Sequence, residues 1–245
     1  MDIISDSFNL LIESIKKKER VTVITGAGVS TDAGIPDFQS TDNSWAFDVS
    51  REEAITARFL YSQPVKFWEI YNTVFPPLGK DIEPTASHKF VKDLEDIAEV
   101  RVITQNVDGL HQKAGSKKVL EIHGNLKNYR CDNCGLKTPA HISEFVPVCE
   151  DCGELVRPDL VMFRDQVPAW KAISADAKAY TGVVLFMGTS LNVYPLAALP
   201  EIFNEFSPLA ETWWWSMNPE NAAQFRYFNH IIDAPLSFPY KKLEK

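Results

Sequence analysis

Residues 21–28 read VTVITGAG, an apolar, β-branched segment that runs directly into glycines. This pattern predicts a buried strand followed by a tight turn, as at the start of a phosphate-binding βα unit. The common dinucleotide fingerprint would have a third glycine at position 31, where this chain has Thr31. The glycines alone are also compatible with a βα turn that binds no ligand.

Further short apolar segments alternate with helical patterns along the chain. Strands are predicted at 99–106, 119–124, 181–190 and 211–217, and helices at 6–19, 51–75 and 85–99. Strands that alternate with helices predict an α/β fold with a Rossmann-like, doubly wound parallel sheet. The cysteine-containing residues 127–165 interrupt the alternation, which indicates an inserted small domain.

Composition limits the classes of partner. The chain has 245 residues, 45% hydrophobic and 24% charged, with a formal net charge of −8. A net negative charge disfavours direct binding to nucleic acid. No apolar run approaches the roughly 18–20 residues that cross a bilayer, and acidic residues precede the lysines at the N-terminus, unlike a signal peptide. We expect a cytoplasmic protein with neither nucleic acid nor membrane as a partner.

The four cysteines predict a metal site. Cys131 and Cys134 form one CxxC pair, Cys149 and Cys152 form another, and fourteen residues separate the pairs. Two such pairs supply the four thiolates of a tetrahedral zinc site, and a site filled by protein ligands is structural. The alternative is a redox-active or disulfide pair, which a cytoplasmic protein disfavours.

Polar residues follow three other predicted strands. They are TQNVDGLH at 104–111, His123 with Gly124, and GTS at 188–190. Ligands of open α/β sheets bind beyond the carboxyl ends of strands, and a histidine there suits proton transfer near neutral pH. Each motif also has a structural interpretation: a capped turn for Asn106 and Asp108, a structural histidine, and a helix cap for Ser190.

Taken together, these motifs resemble the sirtuin family. GAGVSTDAGIPDF (26–38), TQNVDGLH, His123-Gly124, the paired CxxC, RPDLVMF (157–163) and GTSLNVYP (188–195) occur in the sirtuin order, and the matches span residues 21–218. The resemblance implies a Rossmann-like NAD-binding domain at 1–39, 83–126 and 166–245. It also implies a helical module with a cofactor loop at 40–82 and a zinc-binding small domain at 127–165, with substrate between the domains.

The resemblance also implies roles for individual residues. His123 and Asn106 would be catalytic, Val161 and Phe163 would line the acyl-lysine tunnel, and the four cysteines would hold zinc. The phosphates of NAD would meet Ala27, Gly28 and Ser30, and the nicotinamide half would meet Gln105, Asn106 and Asp108. The full set of implied NAD contacts is Gly26, Ala27, Gly28, Ser30, Asp37, Phe38, Gln39, Gln105, Asn106, Asp108, Gly188, Thr189, Ser190 and Asn218.

The implied activity is NAD-dependent removal of an acyl group, most simply acetyl, from a lysine of a protein or peptide. The acyl oxygen attacks the ribose carbon as nicotinamide leaves, and His123 then acts as general base on a ribose hydroxyl. Nicotinamide, free lysine and O-acyl-ADP-ribose result. NAD is a co-substrate in this scheme and zinc is structural.

The sequence departs from the sirtuin pattern at three places. Gln39 replaces the usual arginine, and Arg164-Asp165 replaces the usual Gly-Glu after Phe163. The tyrosine and arginine typical of sirtuins that act on acidic acyl groups are not found after Phe38. Two alternatives stay open: an ADP-ribosyltransferase or NAD hydrolase, against which His123 argues, and a non-catalytic NAD-sensing interaction module.

Overall fold

The strand predicted from residues 21–28 lies inside the larger of two sheets. The structure, a computed structural model, describes residues 3–35, 45, 47–75, 82–139, 146–167, 173, 177, 180–194 and 196–237. Its strands are β1 (Arg20–Thr25), β2 (Glu99–Thr104), β3 (Val119–Glu121), β4 (Gly124–Cys131), β5 (Lys137–Pro139), β6 (Val156–Leu160), β7 (Val183–Met187), β8 (Glu211–Ser216) and β9 (His230–Asp233). Its helices are α1 (Ile3–Lys18), α2 (Arg51–Ala54), α3 (Ala57–Ser62), α4 (Pro64–Val74), α5 (Ala86–Asp93), α6 (Leu110–Lys113) and α7 (Leu199–Phe206).

The larger sheet has six strands in the order β3-β2-β1-β7-β8-β9. Every neighbouring pair is parallel, which confirms the predicted α/β class. From β1 the chain moves outward through β2 and β3, and it then returns to the other side of β1 to form β7, β8 and β9. The switch in direction lies between β1 and β7. A crevice at the carboxyl ends of these two strands is where such sheets bind ligands.

Apolar layers cover both faces of this sheet. On one face, Val21 and Val23 of β1 pack with Leu11 and Ile15 of α1. On the other face, Ile24 packs in a cluster that includes Phe203 of α7. Full burial of such side chains contributes about 1.5–3 kcal/mol each, so the two layers hold the strand ends in fixed positions.

The smaller sheet is antiparallel, with the order β5-β4-β6. Its apolar face packs against α3 and α4, where Trp68 contacts Tyr129 of β4 with ring centroids 5.0 Å apart. The cysteines border this sheet. A small sheet distinct from the parallel one therefore interrupts the βα alternation, as the sequence indicated.

Several local features differ from the sequence prediction. Residues 51–75 form three helices instead of one, because Thr56 caps α3 through the amide of Phe59 and Pro64 begins α4. Helix α7 was not predicted. The segment 211–217 is not the last strand of the sheet, because β9 follows it. Only Ile232 of β9 is buried, so its apolar signal is weak. Among the described residues, no helix has the length and apolar character to span a membrane.

Candidate active site

Loops from β1, β2 and β7 meet at the carboxyl edge of the parallel sheet. The amide of Gln105, just after β2, donates to the carbonyl oxygen of Thr25 at 3.2 Å. On the other side of β1, the amide of Gly28 donates to the carbonyl oxygen of Gly188 at 2.9 Å. The structure therefore brings the GAG, TQN and GTS motifs together at the carboxyl edge of the sheet, where the switch point predicts a ligand crevice.

The glycines let two of these loops touch. A Cβ atom on Gly28 would lie 2.8 Å from the carbonyl oxygen of Gly188, and one on Gly26 would lie 2.8 Å from Cβ of Thr189. Gly188 itself has a φ of 62°, and a Cβ there would lie 2.7 Å from the amide nitrogen of Val29. Larger residues do not fit such contacts, so these glycines allow the loops after β1 and β7 to lie against each other.

A buried hydrogen-bond network joins the β1 and β2 loops. The Asn106 side-chain amide donates to the carbonyl oxygen of Gly26 and to Oγ of Ser30, both at 3.0 Å. Ser30 donates onward to the carboxylate of Asp108 at 2.7 Å. The other Asp108 oxygen accepts from the amide of Leu110 at 2.9 Å. Asp108 thus makes the turn cap considered from the sequence and also joins Ser30 to the β2 loop.

The orientation of Asn106 follows from this network. A carbonyl oxygen only accepts hydrogen bonds, so the nitrogen of the Asn106 amide must face Gly26. Both of its hydrogens are then used within the protein. Asn106 therefore presents an acceptor, its Oδ1 atom, to any ligand in the crevice.

The loops after β7 and β8 form the other half of the crevice rim. Thr189 is buried, its Oγ1 accepts from the amide of Leu191 at 3.2 Å, and its carbonyl oxygen accepts from Nε1 of Trp214 at 3.0 Å. Ser190 and Asn218 are exposed. Leu191 and Asn218 have φ values of 56° and 50°, and such strained positions concentrate at functional sites.

His123 lies in the turn between β3 and β4, two residues beyond the end of β3 at Glu121. The amide of the preceding Ile122 donates to the carbonyl oxygen of Thr104 at 2.9 Å, which places the turn beside the TQN loop. Burial lowers the pKa of His123, and a hydrogen bond to the backbone of Gln105 partly opposes that effect. Because this bond favours the charged ring, the ring donates to the Gln105 carbonyl. The imidazole is thus neutral near pH 7, with its other nitrogen unprotonated.

Val161 and Phe163 lie on the loop after β6, close to His123. The amide of Val161 donates to the carbonyl oxygen of His123 at 2.8 Å, and the amide of Phe163 donates to that of Ile55 at 3.0 Å. The Phe163 residue is 43% exposed. This loop therefore carries an apolar side chain at the surface, between the histidine turn and the end of α2.

The four cysteine sulfurs form a compact cluster. All lie within 4.8 Å of one another, with Cys131 and Cys152, and Cys134 and Cys149, 3.5 Å apart. Zinc–sulfur bonds of about 2.3 Å place tetrahedral thiolates about 3.8 Å apart. The cluster fits a zinc ion, and it offers no ligand position to a substrate.

Two buried histidines were not assigned a role from the sequence. His111 shares a hydrogen bond of 2.9 Å with Thr25 at the end of β1, and His88 contacts His111 with ring centroids 4.7 Å apart. His88 is bonded to Thr85, whose hydroxyl donates to the carbonyl oxygen of Val29. The two imidazoles thus contact both ends of the glycine loop, His111 at Thr25 and His88, through Thr85, at Val29. Residue spacing does not reveal them, because His88 occurs in an ordinary helix start.

Asp37, Phe38 and Gln39, predicted to contact the cofactor, lie outside the described residues. The predicted positions that are described divide into two sets. The first set is connected by the hydrogen bonds and close contacts described above: Gly26, Gly28, Ser30, Asn106, Asp108 and Gly188. Gln105 and His123 lie next to this set. Ala27, Thr189, Ser190 and Asn218 occupy the loops at the rim.

Comparison with known proteins agrees with this geometry. The sequence profile described as "Sir2 family" matches residues 26–195. The chain belongs to the Sir2 family. This confirms the resemblance to sirtuins, and the matched range runs from the glycine loop through the cysteines to the β7 loop.

Relatives of this Sir2-family protein include bacterial enzymes. An NAD-dependent protein deacetylase of Bacillus cereus (strain ATCC 10987 / NRS 248) is 37% identical over 193 residues, which are 77% of this chain and 78% of the relative. NAD-dependent protein deacetylase 2 of Geobacillus kaustophilus (strain HTA426) is 37% identical over 199 residues, 80% of each chain.

Solved structures share the fold of this Sir2-family protein. A Sir2 homologue in complex with NAD superposes with a TM-score of 0.81 at 27% identity, covering 94% of this chain and 89% of that one. A Sir2 protein bound to acetylated peptide gives 0.79 at 29% identity, covering 94% of each chain. A complex of Sir2 with p53 peptide and NAD⁺ gives 0.76 at 30% identity, also covering 94% of each.

Proposed function

We propose that this chain is an NAD-dependent protein lysine deacetylase. The observation that carries the proposal is the position of His123, in a turn hydrogen-bonded to the end of β2, next to the loop that holds the buried Asn106, in a Sir2-family fold. Relatives at 37% identity over 77–80% of this chain are deacetylases of this class. The products are nicotinamide, the free lysine and O-acetyl-ADP-ribose.

We assign the NAD-binding role to the crevice. Ala27, Gly28 and Ser30 shape the phosphate region, where the Gly28 contact to Gly188 leaves no room for a side chain. Gln105, Asn106 and Asp108 form the nicotinamide and ribose region, and Asn106 accepts from a ribose hydroxyl through Oδ1. Gly188, Thr189, Ser190 and Asn218 form the adenosine region. NAD supplies the ribose carbon that accepts the acyl oxygen when nicotinamide leaves.

We assign the role of general base to His123. Its ring donates to the Gln105 carbonyl, so the second nitrogen carries a lone pair and accepts a proton from a hydroxyl. The lowered pKa keeps this nitrogen unprotonated at neutral pH, as a base requires. Val161 and Phe163 form the apolar wall beside which the acyl-lysine enters.

We assign a structural zinc ion to Cys131, Cys134, Cys149 and Cys152. Four thiolates complete the coordination shell, so the metal holds the small sheet together without taking part in the reaction. The zinc-binding unit corresponds to residues 127–165, the helical module to 40–82, and the NAD-binding unit to 1–39, 83–126 and 166–245. We place the protein in the cytoplasm, where thiols stay reduced.

The decisive experiment follows the products. The protein is incubated with NAD and an acetyl-lysine peptide, and the products are identified by mass. O-acetyl-ADP-ribose in amounts equal to deacetylated peptide is expected. An ADP-ribosylated peptide, or free ADP-ribose without deacetylation, would contradict the proposal.

His123→Ala serves as the comparison. It is expected to abolish deacetylation while NAD binding, followed by calorimetry, is largely kept. A described histidine outside the crevice, His230, provides the matched control as His230→Ala, since it pairs with Glu211 at the opposite end of the sheet. Unchanged turnover in His123→Ala would refute the assigned base.

A further inference from the structure

The loop of residues 161–165 is closed by Asp165. The amide of Asp165 donates to the carbonyl oxygen of Met162, and the Asp165 carboxylate accepts from the amide of Met162, both at 3.0 Å. The turn contains Arg164 with a φ of 71°, a left-handed conformation that side chains rarely adopt. A strained turn of this kind persists only where the surroundings hold it.

A buried arginine holds the same carboxylate. The Arg157 side chain is 4% exposed, and its Nη2 atom bonds both to Asp165 and to the carbonyl oxygen of Leu160, the latter at 3.1 Å. Its other terminal nitrogen, Nη1, lies 3.5 Å from the carboxylate of Asp132. Asp132 is the residue after Cys131, within the first cysteine pair. Arg157 therefore spans from the cysteine cluster to the 161–165 loop.

Asp165 is the main counter-charge of this arginine. A buried guanidinium requires a nearby anion. The carboxylate of Asp132 is farther away, is 40% exposed, and also contacts Tyr61 and Arg130. Asp165 is 21% exposed and contacts Arg157 directly. If its charge were removed, the buried charge of the arginine would not be fully balanced.

The turn held by Asp165 determines the positions of Val161 and Phe163, the residues on either side of Met162. Val161 donates its amide to the carbonyl oxygen of His123, and Phe163 donates its amide to that of Ile55. Because Val161 and Phe163 are the chain neighbours of Met162, a movement of the turn at Met162 would displace both of them. Within the described part of the chain, the side-chain hydrogen bonds and ion pairs of Arg157 and Asp165 are made with each other and with Asp132, Leu160 and Met162, away from the loops after β1, β2 and β7.

We propose that Asp165 is a positioning residue for the acyl-lysine peptide: through Arg157 and the amide of Met162 it fixes Val161 and Phe163. The proposal rests on the function proposed above. It also gives a role to the Asp165 departure, because a carboxylate one methylene shorter than glutamate still reaches the buried arginine. Loss of this contact affects the use of peptide and leaves NAD binding unchanged.

The test compares Asp165→Asn with the wild type in zinc-loaded protein. The KM for an acetyl-lysine peptide is expected to rise between about tenfold and a hundredfold, while the dissociation constant of NAD stays within about twofold. Asp165→Glu restores the carboxylate and is expected to recover most of the peptide KM. Equal weakening of peptide and NAD binding, or no recovery in Asp165→Glu, would overturn the proposal.

A measurement that needs no activity separates this proposal from the proposed function. Hydrogen exchange of the amides of residues 161–165 is expected to speed up in Asp165→Asn and to stay slow in Asp165→Glu. If the wild type did not deacetylate, the function would fail, yet the exchange result would still decide the positioning role. Unchanged exchange in Asp165→Asn would refute that role.

Two further variants complete the design. Glu53→Gln removes the exposed ion pair with Arg164 at 2.9 Å in the same loop and is expected to leave peptide KM and loop exchange unchanged. If Asp165→Asn does not fold, Arg157→Met combined with Asp165→Asn removes the buried charge together with its partner. The double variant is expected to fold and to show the same loss of peptide binding, and normal binding would contradict the proposal.

Discussion

The side-chain amide of Asn106 donates a 3.0 Å hydrogen bond to the carbonyl oxygen of Gly26. This contact joins the loops that follow β1 and β2, although the two residues are 80 positions apart in the chain. It also fixes which end of the amide faces the crevice. The asparagine therefore combines a structural role, between two strand ends, with the presentation of a single acceptor to a ligand.

Asn106→Asp tests this arrangement with almost no change in size. A carboxylate cannot donate, so its oxygens would face the Gly26 carbonyl and the Ser30 hydroxyl. We expect a loss of stability of about 1–3 kcal/mol and weaker NAD binding, measured by thermal unfolding and calorimetry. Asn128→Asp makes the same chemical change on β4, where the Asn128 side chain donates to Asn125 at 3.3 Å, and should leave NAD binding intact. Equal NAD affinity in both variants would contradict the assignment.

The pH dependence of turnover tests the state of His123. Burial lowers its pKa below the ordinary value of 6.5, and a general base works only when unprotonated. Turnover is therefore expected to be constant above pH 6.5 and to fall at lower pH, with a midpoint below 6.5. Initial rates at saturating NAD and peptide from pH 4.5 to 8 would measure it. A midpoint above 6.5 would show that another group controls the reaction.

Cys131→Ser tests the zinc site. Hydroxyl oxygen is a poor substitute for a thiolate, and structural zinc sites contribute directly to folding free energy. We expect loss of bound zinc and destabilisation by several kcal/mol, measured by metal analysis and thermal unfolding. Wild-type protein treated with a chelator should show the same change. Undiminished thermal stability after complete removal of zinc would contradict a structural role.

Much of the fold was predictable because its strands are short, apolar and followed by distinctive polar residues. The segments VTVIT and VVLFM are buried throughout, and VRVIT is buried except for the half-buried Arg101; each is followed by a motif at the carboxyl edge. The cysteine spacing likewise predicted a compact ligand cluster. These features are local in sequence, so no knowledge of distant contacts is needed to read them.

The remaining features depend on contacts between distant residues. His88 and His111 come into contact only when α5 packs beneath the β2 loop. The role of Arg157 is visible only when Asp165 and Asp132 are seen beside it in the folded protein. The strand β9 is short and half-exposed, so packing on β8 decides its structure. The sequence motif also does not show that the Gly28 amide donates a hydrogen bond to the carbonyl oxygen of Gly188.

The final prediction concerns the buried His88–His111 pair. Burial lowers the pKa of His88 to about 4, opposed by the nearby Asp108 carboxylate, and lowers the pKa of His111 to about 3, assisted by His88. Nδ1 of His88 lies 2.8 Å from the Thr85 hydroxyl and 3.2 Å from the Thr85 amide nitrogen. Between pH 6.5 and 4, the unfolded chain binds more protons than the folded protein. Stability is therefore complete above pH 6.5 and is lost as the pH falls.

At about 1.4 kcal/mol per pKa unit, the loss reaches up to about 3 kcal/mol for each histidine by pH 4. His88→Asn keeps an acceptor near the Nδ1 position, and His111→Gln keeps a polar group near Nε2, beside Thr25; neither titrates. The double variant should therefore lose less stability than the wild type between pH 6.5 and 4, measured by denaturant unfolding. Carboxylates away from the pair are unchanged in the double variant, so their contributions cancel in the comparison. An identical pH dependence would show that the imidazoles are protonated in the folded state, and the loops that they support would then not depend on neutral histidines.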